Sequence, residues 1–157
     1  MPTYYQSNLE NIAASYKGIR VERAAARILT TPGTTLFTVA GGNVIMTMFI
    51  GEIIVVQGAG ATTLSLVHTP TVGTATTIAS GVTDIAGGAV GQMIALPAAL
   101  AGGMTMTATS YGVPLERVRY VLRPGVMSVF GSASPTGTIS WTMWYVPAEP
   151  GAYVTGG

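Results

Sequence analysis

Between residues 138 and 146 apolar and polar positions alternate with a period of two. Ile139, Trp141, Met143 and Tyr145 fall on one face, and Ser140, Thr142 and Trp144 on the other. This is the period of a strand. A shorter apolar run, Val126-Met127-Ser128-Val129-Phe130, precedes it, and residues 131–137 between them are all turn formers. The pattern predicts an antiparallel hairpin with a long loop. One tryptophan anchors the core. Trp144 points the opposite way and needs a second cover. Just upstream, Arg117, Arg119 and Arg123 share one strand face, with Val118, Tyr120 and Leu122 on the other.

The rest of the chain supports a sheet of this kind. Ser7-Asn8-Leu9-Glu10 matches a capping box, and Leu9, Ile12, Ala13 and Tyr16 follow at helical spacing before Gly18. A short helix over residues 8–17 follows, too short to persist alone in water. It docks either on its own sheet or, as an N-terminal arm, on another subunit. Residues 19–30 read as a strand near an edge: Arg20 and Glu22 share one face, and Arg23 and Arg27 the other. Residues 36–40 are a strand. Residues 44–57 are long and nearly all apolar, which predicts a central strand or a subunit interface, with Gly51 marking a bulge or bend. Residues 62–69 alternate, with Leu64, Leu66 and His68 on one face. Residues 71–83 form a Thr/Val/Ala stretch with turns, residues 84–91 a glycine-rich loop, and residues 92–96 and 104–109 further strands. Pro147, Pro150 and Gly151 end the sheet, and residues 152–157 read as a mobile tail. The count is about nine or ten short strands, with turn signals every 8 to 12 residues or so. The fold class is all-β: a single-domain β-sandwich or jelly-roll-like barrel with a short N-terminal helix or arm. Residues 1–18 form the arm, 19–147 the domain and 148–157 the tail.

Composition bears on partners. The 157 residues carry 8% charged and 48% hydrophobic side chains, with a net charge of +1. An ordinary soluble domain has about 25% charged residues. So neutral a surface opposes association little and predicts a homo-oligomer, trimer first and dimer second. All seven basic residues lie within residues 17–27 and 117–123. A nucleic-acid binder spreads more positive charge over one face, so no direct contact with nucleic acid is expected. There is no cysteine, hence no disulfide framework, which fits synthesis in a reducing cytoplasm. No secretory signal opens the chain. Glu52 interrupts one apolar segment, and six glycines and prolines break residues 86–106, so no membrane span is expected.

Chemistry has few residues to use. The one histidine, His68, sits in an alternating strand and reads as a hydrogen-bonded core or interface residue. A triad from His68, Asp84 and a serine has no supporting motif. Residues 53–63 resemble a strand entering a dinucleotide loop. Thr63 replaces the third glycine, however, and residues from Thr62 alternate as another strand, so a tight turn is the better reading. No catalytic, cofactor-binding or metal-ligating residue is assigned, and no cofactor is expected. The candidate partner or subunit interface consists of Tyr4, Tyr5, Leu9, Ile12 and Tyr16 in the arm, Arg20, Arg23 and Arg27 in the first strand, Arg117, Arg119 and Arg123 in the late strand, and Trp144. Arginine suits bidentate contacts with carboxylates, and tyrosine and tryptophan are common interface anchors.

The polar arm of residues 1–17, the uncharged Thr/Gly/Ala-rich body and the closing Arg119-Tyr120-Val121-Leu122-Arg123-Pro124-Gly125 with residues 139–147 resemble the capsid decoration, or cement, proteins of tailed bacteriophage heads. The resemblance implies a small virion structural protein with a β-sandwich or β-barrel fold, bound to the outer capsid surface. Its partners would be the major capsid protein and itself, and it would clamp adjacent capsomers without chemistry. A second reading is a receptor- or glycan-binding β module of a phage tail fibre or adhesin, using Trp144 and the loop at residues 131–137.

Overall fold

A computed structural model describes residues 18–81, 84–97, 99–107 and 119–157. The helix expected over residues 8–17, and with it Tyr4, Tyr5, Leu9, Ile12 and Tyr16, lies outside the described residues, as does Arg117. The described residues form eleven strands: β1 Ile19–Ala26, β2 Thr34–Ala40, β3 Val44–Val55, β4 Leu64–Pro70, β5 Thr76–Ala79, β6 Met93–Ala95, β7 Thr105–Met106, β8 Tyr120–Leu122, β9 Gly125–Gly131, β10 Thr138–Pro147 and β11 Tyr153–Gly156.

Two sheets stack as a β-sandwich. Sheet A runs β1-β10-β3-β6-β7, with β8 also paired to β3; sheet B runs β11-β2-β9-β4-β5. Every strand pair is antiparallel. Setting aside the β6-β7 pair and β11, the orders are β1-β10-β3-β8 and β2-β9-β4-β5. That is the eight-strand jelly-roll arrangement, here as two open sheets rather than a closed barrel.

The strand order corrects the expected hairpin. β9 and β10 follow one another in sequence but do not pair: β9 lies between β2 and β4 in sheet B, and β10 between β1 and β3 in sheet A. The loop at residues 131–137 therefore arches from one layer to the other, about 10 Å apart in stacked sheets, a span a two-residue turn could not bridge. The expected tail is also corrected. Residues 153–156 form β11, paired with β2, because Ala152 and Val154 are buried while Tyr153 and Thr155 face out.

Alternation decides which side chains enter the core. On β10, Ile139, Trp141, Met143 and Tyr145 are buried; on β9, Met127 and Val129; on β4, Leu64, Leu66 and His68. β3 is central, flanked by β10 on one side and by β6 and β8 on the other, and only one of its faces is sealed: Ile54 and Val55 are exposed. Trp141 is fully buried, with Phe49 at 5.1 Å between ring centroids and Phe37 edge-on to Phe49 at 6.1 Å. Gly51 pairs with Trp141 in ordinary register and marks no bulge. Its role is space: a Cβ there would lie 2.6 Å from Cζ3 of the Trp141 ring. The two register shifts of this ladder fall elsewhere, between Thr138 and Ile139 opposite Val55 and Ile53, and between Trp144 and Tyr145 opposite Met48 and Met46.

Candidate interaction surfaces

The two outer faces of the sandwich differ in charge. Directly paired residues of an antiparallel ladder share a face. One row across sheet B therefore reads Thr69, Val126, Thr38 and Thr155, and the next Thr77, Val67, Ser128 and Thr35. Ser65 beside Phe130 and Ala40 beside Tyr153 complete the face. None of these outward residues is charged. Phe130 is half-buried because the turn before β2 lies over it; a Cβ on Gly33 would meet its ring at 2.6 Å. Threonine and valine suit an exposed pleat, and their outward positions leave a broad neutral surface.

Sheet A presents Arg20 and Glu22 from β1, Ser140, Thr142 and Trp144 from β10, Met48, Ile50 and Glu52 from β3, and Met93 from β6. Arg20 forms an ion pair with Glu22, and its guanidinium lies over the Trp144 ring at 5.8 Å from the centroid. The cover that Trp144 needs is thus partly supplied by a neighbouring strand. The register shift beside Met48 sits directly opposite Trp144, where a bulge re-aims side chains. Arg20, Glu52, Ser140, Thr142, Ile50, Met93 and Trp144 line a shallow depression. An adjoining one shares four of those residues and extends to Glu22, Arg23 and Ala24.

The remaining predicted residues are dispersed. Arg23 donates from Nε to the Thr35 carbonyl at 3.3 Å, tying the edge of sheet A to sheet B. Arg27 reaches the Pro135 carbonyl with two N–H groups at 3.4 Å, which helps pin the loop at residues 131–137. That loop is further held by paired contacts of Ser132 with Thr63 at 2.9 Å. Arg119 and Arg123 are exposed and flank β8, which pairs with β3, whereas Arg20 and Arg23 stand on β1, beyond β10 on the other side of β3, and Arg27 just follows the end of β1. The structure therefore does not gather the described arginines into one surface.

His68 and Asp84 each have a structural partner. His68 is buried on β4, and its Nε2 lies 3.0 Å from the Arg123 carbonyl, donating in the neutral tautomer. Burial lowers its pKa, and the hydrogen bond to Arg123 acts in the opposite sense. Asp84 accepts from the backbone N–H of Thr62 at 2.8 Å and of Ala86 at 2.9 Å. Those two bonds, Thr62 first, lower its pKa against a smaller opposing effect of desolvation. Its carboxylate thus clamps the glycine-rich loop onto the start of β4. The segment that resembled a dinucleotide loop is the connection between β3 and β4, and a strand follows it. Among the described residues no group of three potential metal ligands occurs, and no helix is long and apolar enough to cross a membrane.

Sequence reasoning did not assign Glu52, Ser140 and Thr142 to a site. The alternation of β10 showed that Ser140, Thr142 and Trp144 share a face, but the neighbourhood of Glu52 depends on the cross-strand register of β3. The neutral face of sheet B had its signal in Thr35, Thr38, Ser65, Val67, Thr69, Val126 and Ser128, but that signal needed the sheet order to assemble it. No family model, curated protein or solved structure matches the chain.

Proposed function

We propose that the chain is a non-enzymatic virion structural protein that binds the outer surface of a phage head and reinforces contacts between capsomers. The observation that carries this reading is the neutral outer face of sheet B. Burying Thr, Ser, Val and Ala against a protein surface strips no ion of water, whereas burying sheet A would desolvate Arg20, Glu22 and Glu52. Threonine hydroxyls on that face supply hydrogen bonds across a contact, and the pleat supplies a flat footprint. The jelly-roll order is a common architecture of viral capsid and lectin domains. It agrees with the reading without deciding it, since fold alone does not fix function. In this mechanism the protein acts as a homo-oligomer, with sheet B against the major capsid protein, and stabilises the shell by area buried across capsomer seams at about 25 cal/mol per Å² of apolar surface.

Co-sedimentation with DNA-free heads of the phage that encodes the chain tests the proposal. Wild-type protein is expected to saturate at a fixed copy number per head. Val126→Lys, which places an unpaired ammonium in the footprint, is expected to weaken binding on the order of 100-fold with its circular dichroism unchanged. A wild-type protein that stays in the supernatant at micromolar concentration overturns the proposal.

A further inference from the structure

The depression around Trp144 on sheet A is built from side chains that the core does not use, and it lies on the sandwich face opposite the proposed footprint. Four strands contribute: Arg20 from β1, Ser140, Thr142 and Trp144 from β10, Ile50 and Glu52 from β3, and Met93 from β6. All stand on paired strands, so the backbone holds their spacing. Among the described residues, Ser140, Thr142 and Glu52 make no side-chain hydrogen bond or ion pair, which leaves two hydroxyls and a carboxylate available to a ligand. Trp144 adds a half-buried indole, and Arg20 adds a guanidinium over one side of its ring.

The chemistry of this set narrows the ligand. An anion such as phosphate is disfavoured, because Arg20 is already paired with Glu22 and Glu52 faces the same depression. A metal ion is disfavoured, because no third ligand joins the two carboxylates. A fully apolar ligand would strand Glu52, Ser140 and Thr142 without partners, which costs about 1–3 kcal/mol for each unpaired polar group. A neutral polyhydroxyl ligand satisfies the whole set. Its hydroxyls donate to Glu52, accept from Arg20 and exchange bonds with Ser140 and Thr142, while its C–H face packs on the indole. The depression is about 170 Å³ and opens into the adjoining one of about 430 Å³ through shared Arg20, Glu52, Ser140 and Thr142. The shared lining lets one extended ligand, such as a chain of linked rings, contact both depressions.

We infer that this surface binds a neutral oligosaccharide, with Trp144 as the stacking platform and Glu52 as the principal acceptor. The inference does not rest on head binding. Glycan-array binding of the full chain tests it, followed by titration of the strongest hit, monitored by tryptophan fluorescence. Wild-type protein is expected to bind uncharged oligosaccharides in preference to sialylated or sulfated ones. Trp144→Ala is expected to lose at least tenfold in affinity, and Glu52→Gln a smaller but measurable amount, with melting temperatures within a few degrees of wild type. Val126→Lys, on the opposite face, is expected to bind sugar as wild type does. An array blank for wild-type protein overturns the inference. So does binding that survives Trp144→Ala, and so does a preference for anionic glycans.

Discussion

Gly51→Ala separates two effects of opposite sign. Gly51 sits in the middle of β3 with strand backbone, paired to Trp141, and is not among the glycines of positive φ. Backbone entropy alone makes Gly→Ala at such a position stabilising by about 0.4–1 kcal/mol. Packing says otherwise. The added methyl would lie 2.6 Å from Cζ3, 2.8 Å from Cε3 and 3.0 Å from Cη2 of Trp141. That ring cannot retreat easily, because Phe49 is packed on it at 5.1 Å and Phe37 backs Phe49. Overpacking of this kind costs about 1–3 kcal/mol. For a chain of 157 residues, each kcal/mol moves the melting temperature by about 2–4 °C. Taken at the midpoints of the two ranges the net loss is about 1.3 kcal/mol, so the expected outcome is a melting temperature lower by about 3–5 °C for Gly51→Ala. Trp141→Phe supplies the second arm of a double-mutant cycle. The three clashing atoms belong to the six-membered ring of the indole, and phenylalanine does not reach as far. In that background Gly51→Ala is expected to be neutral or stabilising, a coupling of at least about 1 kcal/mol. The cycle is read by urea melts monitored by circular dichroism. A Gly51→Ala variant as stable as wild type, or one equally destabilised with and without Trp141, would refute the close-packing account.

Two further predictions concern stability. Burial lowers the pKa of His68 below its ordinary 6.5, so the unfolded chain takes up a proton before the native one does. Stability is fully present above about pH 6.5 and falls as pH drops below that value toward the native pKa; His68→Gln should flatten this slope in urea melts at pH 5 to 7. Deleting residues 152–157 should remove the burial of Val154, about 1.5–3 kcal/mol for a fully buried aliphatic side chain, and bare the edge of β2. Urea melts should show the loss and light scattering should show aggregation, whereas a deletion variant as stable and as monodisperse as wild type would return β11 to the status of a tail.

What the sequence revealed depended on how local the determining contact was. The faces of β10 were readable because a period of two and one sealed layer act within nine or ten residues. His68 among Leu64 and Leu66 was readable for the same reason. The glycines and Pro135 at residues 131–137 announced a reversal but could not say whether the chain returned in its own sheet or crossed to the other. That choice belongs to β2 and β4, which already flank β9, and to β1 and β3, which flank β10. β11 escaped notice because Pro150 and Gly151 outweighed a single buried side chain, Val154, in a four-residue strand. Gly51 read as a bulge because its true constraint, the Trp141 ring, is remote in sequence. The grouping of Glu52 with Ser140 and Arg20 needed the ladder register across three strands, and no local pattern carries that.

The central claim is that sheet B, not sheet A, faces the shell. The chain has no cysteine, so single cysteines can report each face. Thr69→Cys sits in the neutral rows of sheet B, and Glu22→Cys on the charged face of sheet A. The measurement is the rate of maleimide labelling of each variant, free and bound to DNA-free heads. The account predicts that Thr69→Cys labels at least tenfold more slowly on heads while Glu22→Cys labels as fast as when free. Protection of Glu22→Cys with Thr69→Cys still reactive would contradict it.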